Sequence, residues 1–320
     1  MPYAKKASLG GKITTLPWDG FTGGIIALRT VEQLNVNAVI DATGKGYRGG
    51  VKNWDLRKLN KDYICHASAG DQGESFAGRG APDYVTAGFG CCSGPNNMQT
   101  GYKGRGLKNR GGGGGGAGSC HGGGGAGGGH GDWSGVAKSP NACGHRGEAG
   151  DGSPECSRAG SWSQRGAIYG VANLQRLSLG SGGGGGNAHS PSEREDNSGG
   201  RGGGAILLDG GKEVNLQAEV LANGEQGNPK FGTSLCNWWS TNNPQDGSGG
   251  GGAGGSIHVM ALDGKAAVHN DRMFAKGGTY GCDNGWRTKA QTGGAGGFGR
   301  LALTAKNPSG GARGLKTTRV

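Results

Sequence analysis

Glycine sets the terms on which this chain can fold: 78 of its 320 residues are Gly, gathered in runs beside short apolar segments. Between Arg110 and Gly131, 15 of 22 residues are Gly, and further runs occupy Gly182 to Gly186 and Gly249 to Gly252. Such density has two physical readings. In one, backbones approach so closely that a Cβ would clash, or φ must be positive. In the other, the segments are disordered, because Gly loses more conformational freedom on folding than any other residue.

The rest of the chain favours order. Seven Trp and seven Tyr are spread through the non-glycine segments. Hydrophobic residues make up only 32%, however, so a core of Leu, Ile, Val and Phe is thin. Cohesion has to come from backbone hydrogen bonds in close-packed layers, from disulfides, or from partners. Polyglycine can adopt a left-handed helix of three residues per turn that has no internal hydrogen bonds. Every N–H and C=O then needs a partner outside its own strand. Several such helices packed side by side satisfy one another, and small interruptions at Ala117, Ser119, Ala126, Ala253 and Ala295 suit that spacing. The larger His121, His130 and Trp133 are expected to face outward.

A repeated unit organises the apolar segments. Gly23-Gly24 leads into Ile25-Ile26-Ala27-Leu28, a polar break follows, then Leu34 through Val36 to Ile40, closing at Ala42-Thr43-Gly44. Gly203-Gly204 leads into Ala205-Ile206-Leu207-Leu208, then Val214 to Ala218, closing at Ala222-Asn223-Gly224. The two align without a gap, Asn35 on Asn215 and Ala38 on Ala218. A third copy near 254–277 is two residues longer, and a fourth near 296–305 keeps only its first strand. Each unit reads as two short strands joined by a turn, with period-2 alternation and a positive φ expected at the closing Gly. The expected fold is all-β, with layered short strands from a ~20-residue unit, glycine segments of the polyglycine type, disulfides and almost no helix. The chain is read as a single glycine-rich β domain over 1–320, with a Gly-rich insert at 45–202.

Eight cysteines, Cys65, Cys91, Cys92, Cys120, Cys143, Cys156, Cys236 and Cys282, lie in loop-like surroundings. In a core-poor chain this reads as a disulfide set and a secreted, extracellular setting. Eight Cys allow 105 pairings, which sequence alone does not choose between. Met1 to Gly10 lacks the apolar core of a signal peptide, so the chain is expected to begin after processing. No stretch approaches a membrane span.

The net charge of +11 is scattered as single residues and pairs such as Lys5-Lys6. That dispersion argues against nucleic acid and suits an anionic polysaccharide or mineral surface such as silica; ordinary solubilising charge is the plainer alternative. Recurrent GxGxxG patterns open no helix, so the dinucleotide reading fails and no cofactor is expected. Cys65-His66, Cys120-His121 and Cys143-Gly144-His145 match no standard zinc spacing, and no metal is expected. His66/Ser68 and Ser119/His121 are the candidates for a catalytic hydroxyl–imidazole pair, against chance proximity in a chain with many Ser. Trp238 and Trp239, flanked by Asn237, Asn242 and Asn243, could hold a sugar ring or cap the glycine layers.

Pro17-Trp18-Asp19-Gly20, followed by Thr22 to Leu28, resembles glycine-rich extracellular proteins of bacteria and marine invertebrates. So do Gly46-Tyr47-Arg48-Gly49-Gly50, Asp71 to Ser75, and Leu179-Gly180-Ser181 with the run after it. The resemblance spans roughly 15–305 and is nearest to secreted structural proteins, including those of sponge biosilica filaments. It implies a scaffold that self-assembles as a homo-oligomer or filament, plausible as a template for mineral. The polyglycine part also resembles tip adhesins of phage tail fibres, which implies a glycan- or receptor-binding module. Ice binding is a third reading, but the regular Thr arrays it calls for are missing.

Overall fold

A computed structural model describes residues 4–51, 71–78, 112, 125, 127–131, 166–186, 198–228, 248–269, 271–281, 293–310 and 315–319. Among these residues the protein is all-β, with no helix. The strands are β1 (Ala4–Leu9), β2 (Lys12–Thr14), β3 (Ile25–Val36), β4 (Val39–Asp41), β5 (Ala205–Asp209), β6 (Glu213–Leu216), β7 (Val220–Leu221), β8 (Ser256–Val268), β9 (Met273–Phe274), β10 (Arg300–Gly310) and β11 (Leu315–Arg319).

They form two sheets. The larger has seven strands in the order β1-β3-β5-β8-β10-β11, with β6 also pairing β3 and β8; the smaller runs β2-β4-β7-β9. All the strand pairs are parallel, and spatial order follows chain order. Like residues therefore stack on like: Ile26 on Ile206, Ile257 and Leu301, and Leu28 on Leu208, Val259 and Leu303. In the small sheet Ile40 meets Val220, and Val220 meets Met273. The inward members of these ladders form one cluster, with Ile206, Leu208, Leu216, Ile257 and Leu303 fully buried. Each such side chain contributes about 1.5–3 kcal/mol.

Two strand boundaries differ from the sequence expectation. The polar break after Leu28 is no turn: β3 runs unbroken from Ile25 to Val36, and the chain bends only at Asn37 and Ala38. Arg29 and Val31 point outward there, whereas Thr30 turns inward and is buried with its hydroxyl unpaired. Nor do the expected strands of a unit pair with each other: Ile25–Leu28 and Leu34–Val36 lie on β3, Ala205–Leu208 and Val214–Leu216 lie on β5 and β6 of the same large sheet, and only the residues after the bend, on β4 and β7, join the small sheet.

Beyond the strand ends the glycine segments run extended and exchange backbone hydrogen bonds. Segment 248–255 shows the rule. Its residues 249, 252 and 255 donate to the carbonyls of Asn228, Glu225 and Ala222. Residues 250 and 253 donate to Gly184 and Ser181, and residues 251 and 254 to Gly294 and Gly297. Its carbonyls accept in the same rotation: from Gly281 and Gly278, from Gly200 and Gly203, and from Gly125 and Gly128. The period is three residues, and six surrounding segments share the bonds. A Cβ built on Gly183 or Gly202 would run into the backbone carbonyl of Gly250 or Gly180. At the unit closures the glycines act differently: Gly44 has φ +64, as expected, whereas Gly224 is not left-handed and is required because a Cβ would strike the Gly252 carbonyl.

Candidate functional site

The residues singled out for chemistry from sequence alone lie outside the described residues: the eight cysteines, His66, Ser68, Ser119, His121, Trp238 and Trp239. So do Trp133, Ala117 and Ala126. Among the described residues no group of three His, Cys, Asp or Glu is placed to hold a metal, and no helix is long and apolar enough to cross a membrane.

His130 corrects its expectation. It does not face outward but is fully buried inside the glycine array. The physical reason lies in the three-residue rotation. Gly125 and Gly128 donate to Ser248 and Gly251, so position 131 is due to serve Gly254. The Gly131 N–H instead goes to Phe298, and the His130 imidazole takes its place, Nδ1 donating to the Gly254 carbonyl at 2.7 Å. A carbonyl only accepts, so Nδ1 carries the proton and Nε2 accepts from the Ser178 hydroxyl at 2.9 Å. Burial, with the Arg300 charge adding to it, lowers the His130 pKa to about 4 against the Gly254 hydrogen bond.

Segment 166–179 closes over this residue. Gly166 and Tyr169 donate to the carbonyls of Gly127 and His130, again three apart. The Tyr169 ring lies 4.8 Å from the imidazole and 4.9 Å from Phe76. Its hydroxyl donates to the Leu179 carbonyl, and Arg300 donates to the Tyr169 carbonyl through Nε at 3.1 Å and a terminal nitrogen at 2.8 Å. Ser256 on β8 donates to the Ser178 carbonyl at 2.7 Å. Farther along, Leu174, held at φ +53, covers His258, whose Nδ1 lies 3.2 Å from the Leu174 carbonyl and whose Nε2 meets Thr304 at 3.0 Å.

Ser178 and His130 are in outline a nucleophile and its base. Their chemistry points elsewhere. A general base works best with a pKa near the operating pH, and this imidazole is buried and poised near 4. Its third partner is a lattice carbonyl rather than a carboxylate. The cluster closes hydrogen bonds; it is not built to move protons at neutral pH.

A second arrangement presents rather than buries. Between β2 and β3 the chain makes a loop organised by Asp19, whose Oδ1 accepts from the N–H groups of Phe21 and Thr22 at 2.7 and 2.8 Å. Those bonds hold the Asp19 carboxyl below the usual carboxylate range. The Arg48 guanidinium donates to the Asp19 carbonyl at 2.7 Å, and Arg201 to the Trp18 carbonyl at 3.0 Å. Trp18 packs edge-on against Tyr47 at 5.9 Å. Arg48 is itself fixed by a two-pronged pair with buried Glu74, both contacts 2.8 Å. Burial opposes ionisation of Glu74, but the Arg48 hydrogen bonds outweigh it and keep its pKa below the ordinary value. This clamped loop holds Leu16 79% and Phe21 90% exposed. In the sequence Pro17 to Gly20 entered only through the resemblance; nothing there announced that two large apolar side chains would stand in water beside Asp19.

No family model matches the chain, and no curated protein or solved structure matches it either.

Proposed function

We propose that the protein is a secreted structural scaffold that self-assembles outside the cell and promotes deposition of an anionic mineral, silica in the first instance, on its cationic surface. The observation that carries this reading is the glycine array. Its residues satisfy one another's backbone groups through six neighbouring segments, an investment in rigidity rather than in a reaction centre. In this reading the glycine segments pack as polyglycine-type helices, and the strand units descend from one ~20-residue repeat. The eight cysteines close as disulfides that supplement the thin core. Exposed Lys5, Lys6, Lys212, Lys265 and Lys276 spread positive charge over several strands and loops. Silicic acid oligomers are anionic, and scattered cations concentrate them without a pocket.

The test is precipitation from dilute silicic acid, with electron microscopy of the product. Deposition should be faster with the protein and should slow with added salt, because the Debye length shortens to about 8 Å near 0.15 M. Unchanged deposition, with no ordered assemblies at high protein concentration, would overturn the reading.

One observation favours a second function. A loop clamped by Arg48, Arg201 and Trp18 that keeps Leu16 and Phe21 in solvent suits a glycan- or receptor-binding adhesin, whose anchors gain from being held in place beforehand. Tight binding to one defined glycan, lost in a Phe21→Ser variant, would put that function in place of the scaffold.

A further inference from the structure

Segment 166–179 lies over β8 and β10 of the large sheet and is fastened there differently from the rest of the chain. Among the described residues, no backbone N–H from Gly170 to Leu179 donates to a backbone carbonyl outside the segment, whereas every residue from Gly249 to Gly255 does so. Side chains hold the segment instead, and two of them are imidazoles. The Ser178 hydroxyl donates to His130 at 2.9 Å, and His258 donates from Nδ1 to the Leu174 carbonyl at 3.2 Å. Ser256 and Arg300 hold the Ser178 and Tyr169 carbonyls. The two rings are arranged alike, Nδ1 donating to a carbonyl and Nε2 accepting from a hydroxyl of Ser178 or Thr304. Both are buried, with Tyr169 and Leu174 of the segment against them. The segment's other side is in water at Ile168, at Gly170 to Asn173, and at Gln175 and Arg176.

We propose that segment 166–179 is an acid-released strap, closed on the large sheet at neutral pH and lifted when His130 and His258 take up protons, while the sheets and the glycine array stay folded. Few backbone bonds tie it down, so it opens at a smaller cost than the array does. Leu174 is left-handed at φ +53, and lifting relieves that strain. Arg300 from β10 and the Tyr169 phenol, which burial keeps neutral, face His130. Asp209 from β5, itself paired with Arg29, faces His258. Arg300 opposes a proton on His130 and Asp209 favours one on His258, but burial is the larger effect at both rings and lowers both pKa values, to about 4 for His130. Each ring therefore takes a proton more readily uncovered than covered, and falling pH draws the strap open.

Hydrogen exchange of the full chain, read by mass spectrometry at pH 7 and pH 4 with intrinsic rates divided out, tests this on either side of the His130 transition. Protection over 170–178 should fall roughly a hundredfold, the factor set by a pKa of about 4 covered and 6.5 uncovered. At the lower pH β8 should remain better protected than the strap, and the strap should recover on return to neutrality. In a His130→Asn/His258→Asn variant the strap's protection should hardly change with pH. Ser256→Ala, which removes a contact that does not titrate, should lower it equally at both values. Protection over 170–178 that survives acid, or that is lost only together with β8, would overturn the proposal. So would a double variant that keeps the parent's fall; if that variant does not fold, the comparison of strap with β8 in the parent chain decides alone.

Discussion

His130 shows how a residue can be correctly noticed and wrongly placed. In a run of glycines a bulky ring is expected to turn outward, because no Cβ fits between the strands. What the sequence does not display is that a lattice with period three has an empty donor position, which an imidazole nitrogen can fill. The burial carries a pH signature. The folded pKa of about 4 lies below the ordinary value of 6.5, so the unfolded chain binds the proton more readily between them. This contribution is complete above pH 6.5 and is lost as pH falls toward 4, a change of about 3 kcal/mol. His258, whose pKa burial also lowers, adds loss of the same sign. Thermal midpoints between pH 7 and 4 should fall more steeply for the parent protein than for His130→Asn, which can keep a donor for Gly254 but has no proton to gain. Parallel curves would contradict this. The glycines themselves divide by position. Gly183→Ala should destabilise by more than about 2 kcal/mol, since its Cβ meets a backbone carbonyl that cannot move aside. Gly10→Ala, with nothing within 4 Å, should stay within about 0.5 kcal/mol in denaturant titrations.

At the scale of elements, the sequence was most informative where side chains repeat. Aligning 24–44 with 204–224 implies an offset of 180, the offset at which β3 pairs with β5 and β6. The third expected copy is longer by two residues, and in the strand pairing Ala205 meets Ser256, Glu213 meets Lys265 and Val220 meets Met273, so the pairing offset grows by one at each gap. The parallel direction was not legible, because period-2 alternation is the same in either sense. The division of each unit between two sheets was hidden for a related reason, as a bend and a hairpin turn use similar residues. On β3 the ladder buries one face and leaves the other in solvent along much of its length, so substitutions should separate by burial. Ile206→Ala, at a fully buried site, should cost about 2–5 kcal/mol. Val31→Ala, 52% exposed on β3, should cost less than about 0.5 kcal/mol in the same measurement.

For the molecule as a whole, the cysteines lie outside the described residues and their state is a matter for chemistry. Thiol titration of the denatured, unreduced protein should find few free groups, since each bridge can contribute about 2–4 kcal/mol to a chain with so thin a core; six or more free thiols would argue for a reducing compartment. The six-neighbour array has a further consequence, in time rather than in energy. Segment 248–255 is bonded to stretches near 125, 181, 200, 225, 280 and 295, most of them far away along the chain. None of its neighbours can serve it fully until the others have arrived, so little reward accrues before many distant closures have been made. Topologies of that kind fold slowly. The return path is equally obstructed, because one strand leaves the array only by breaking bonds on several sides together. Such a protein endures by the slowness of its unfolding, and its working lifetime is set by that rate.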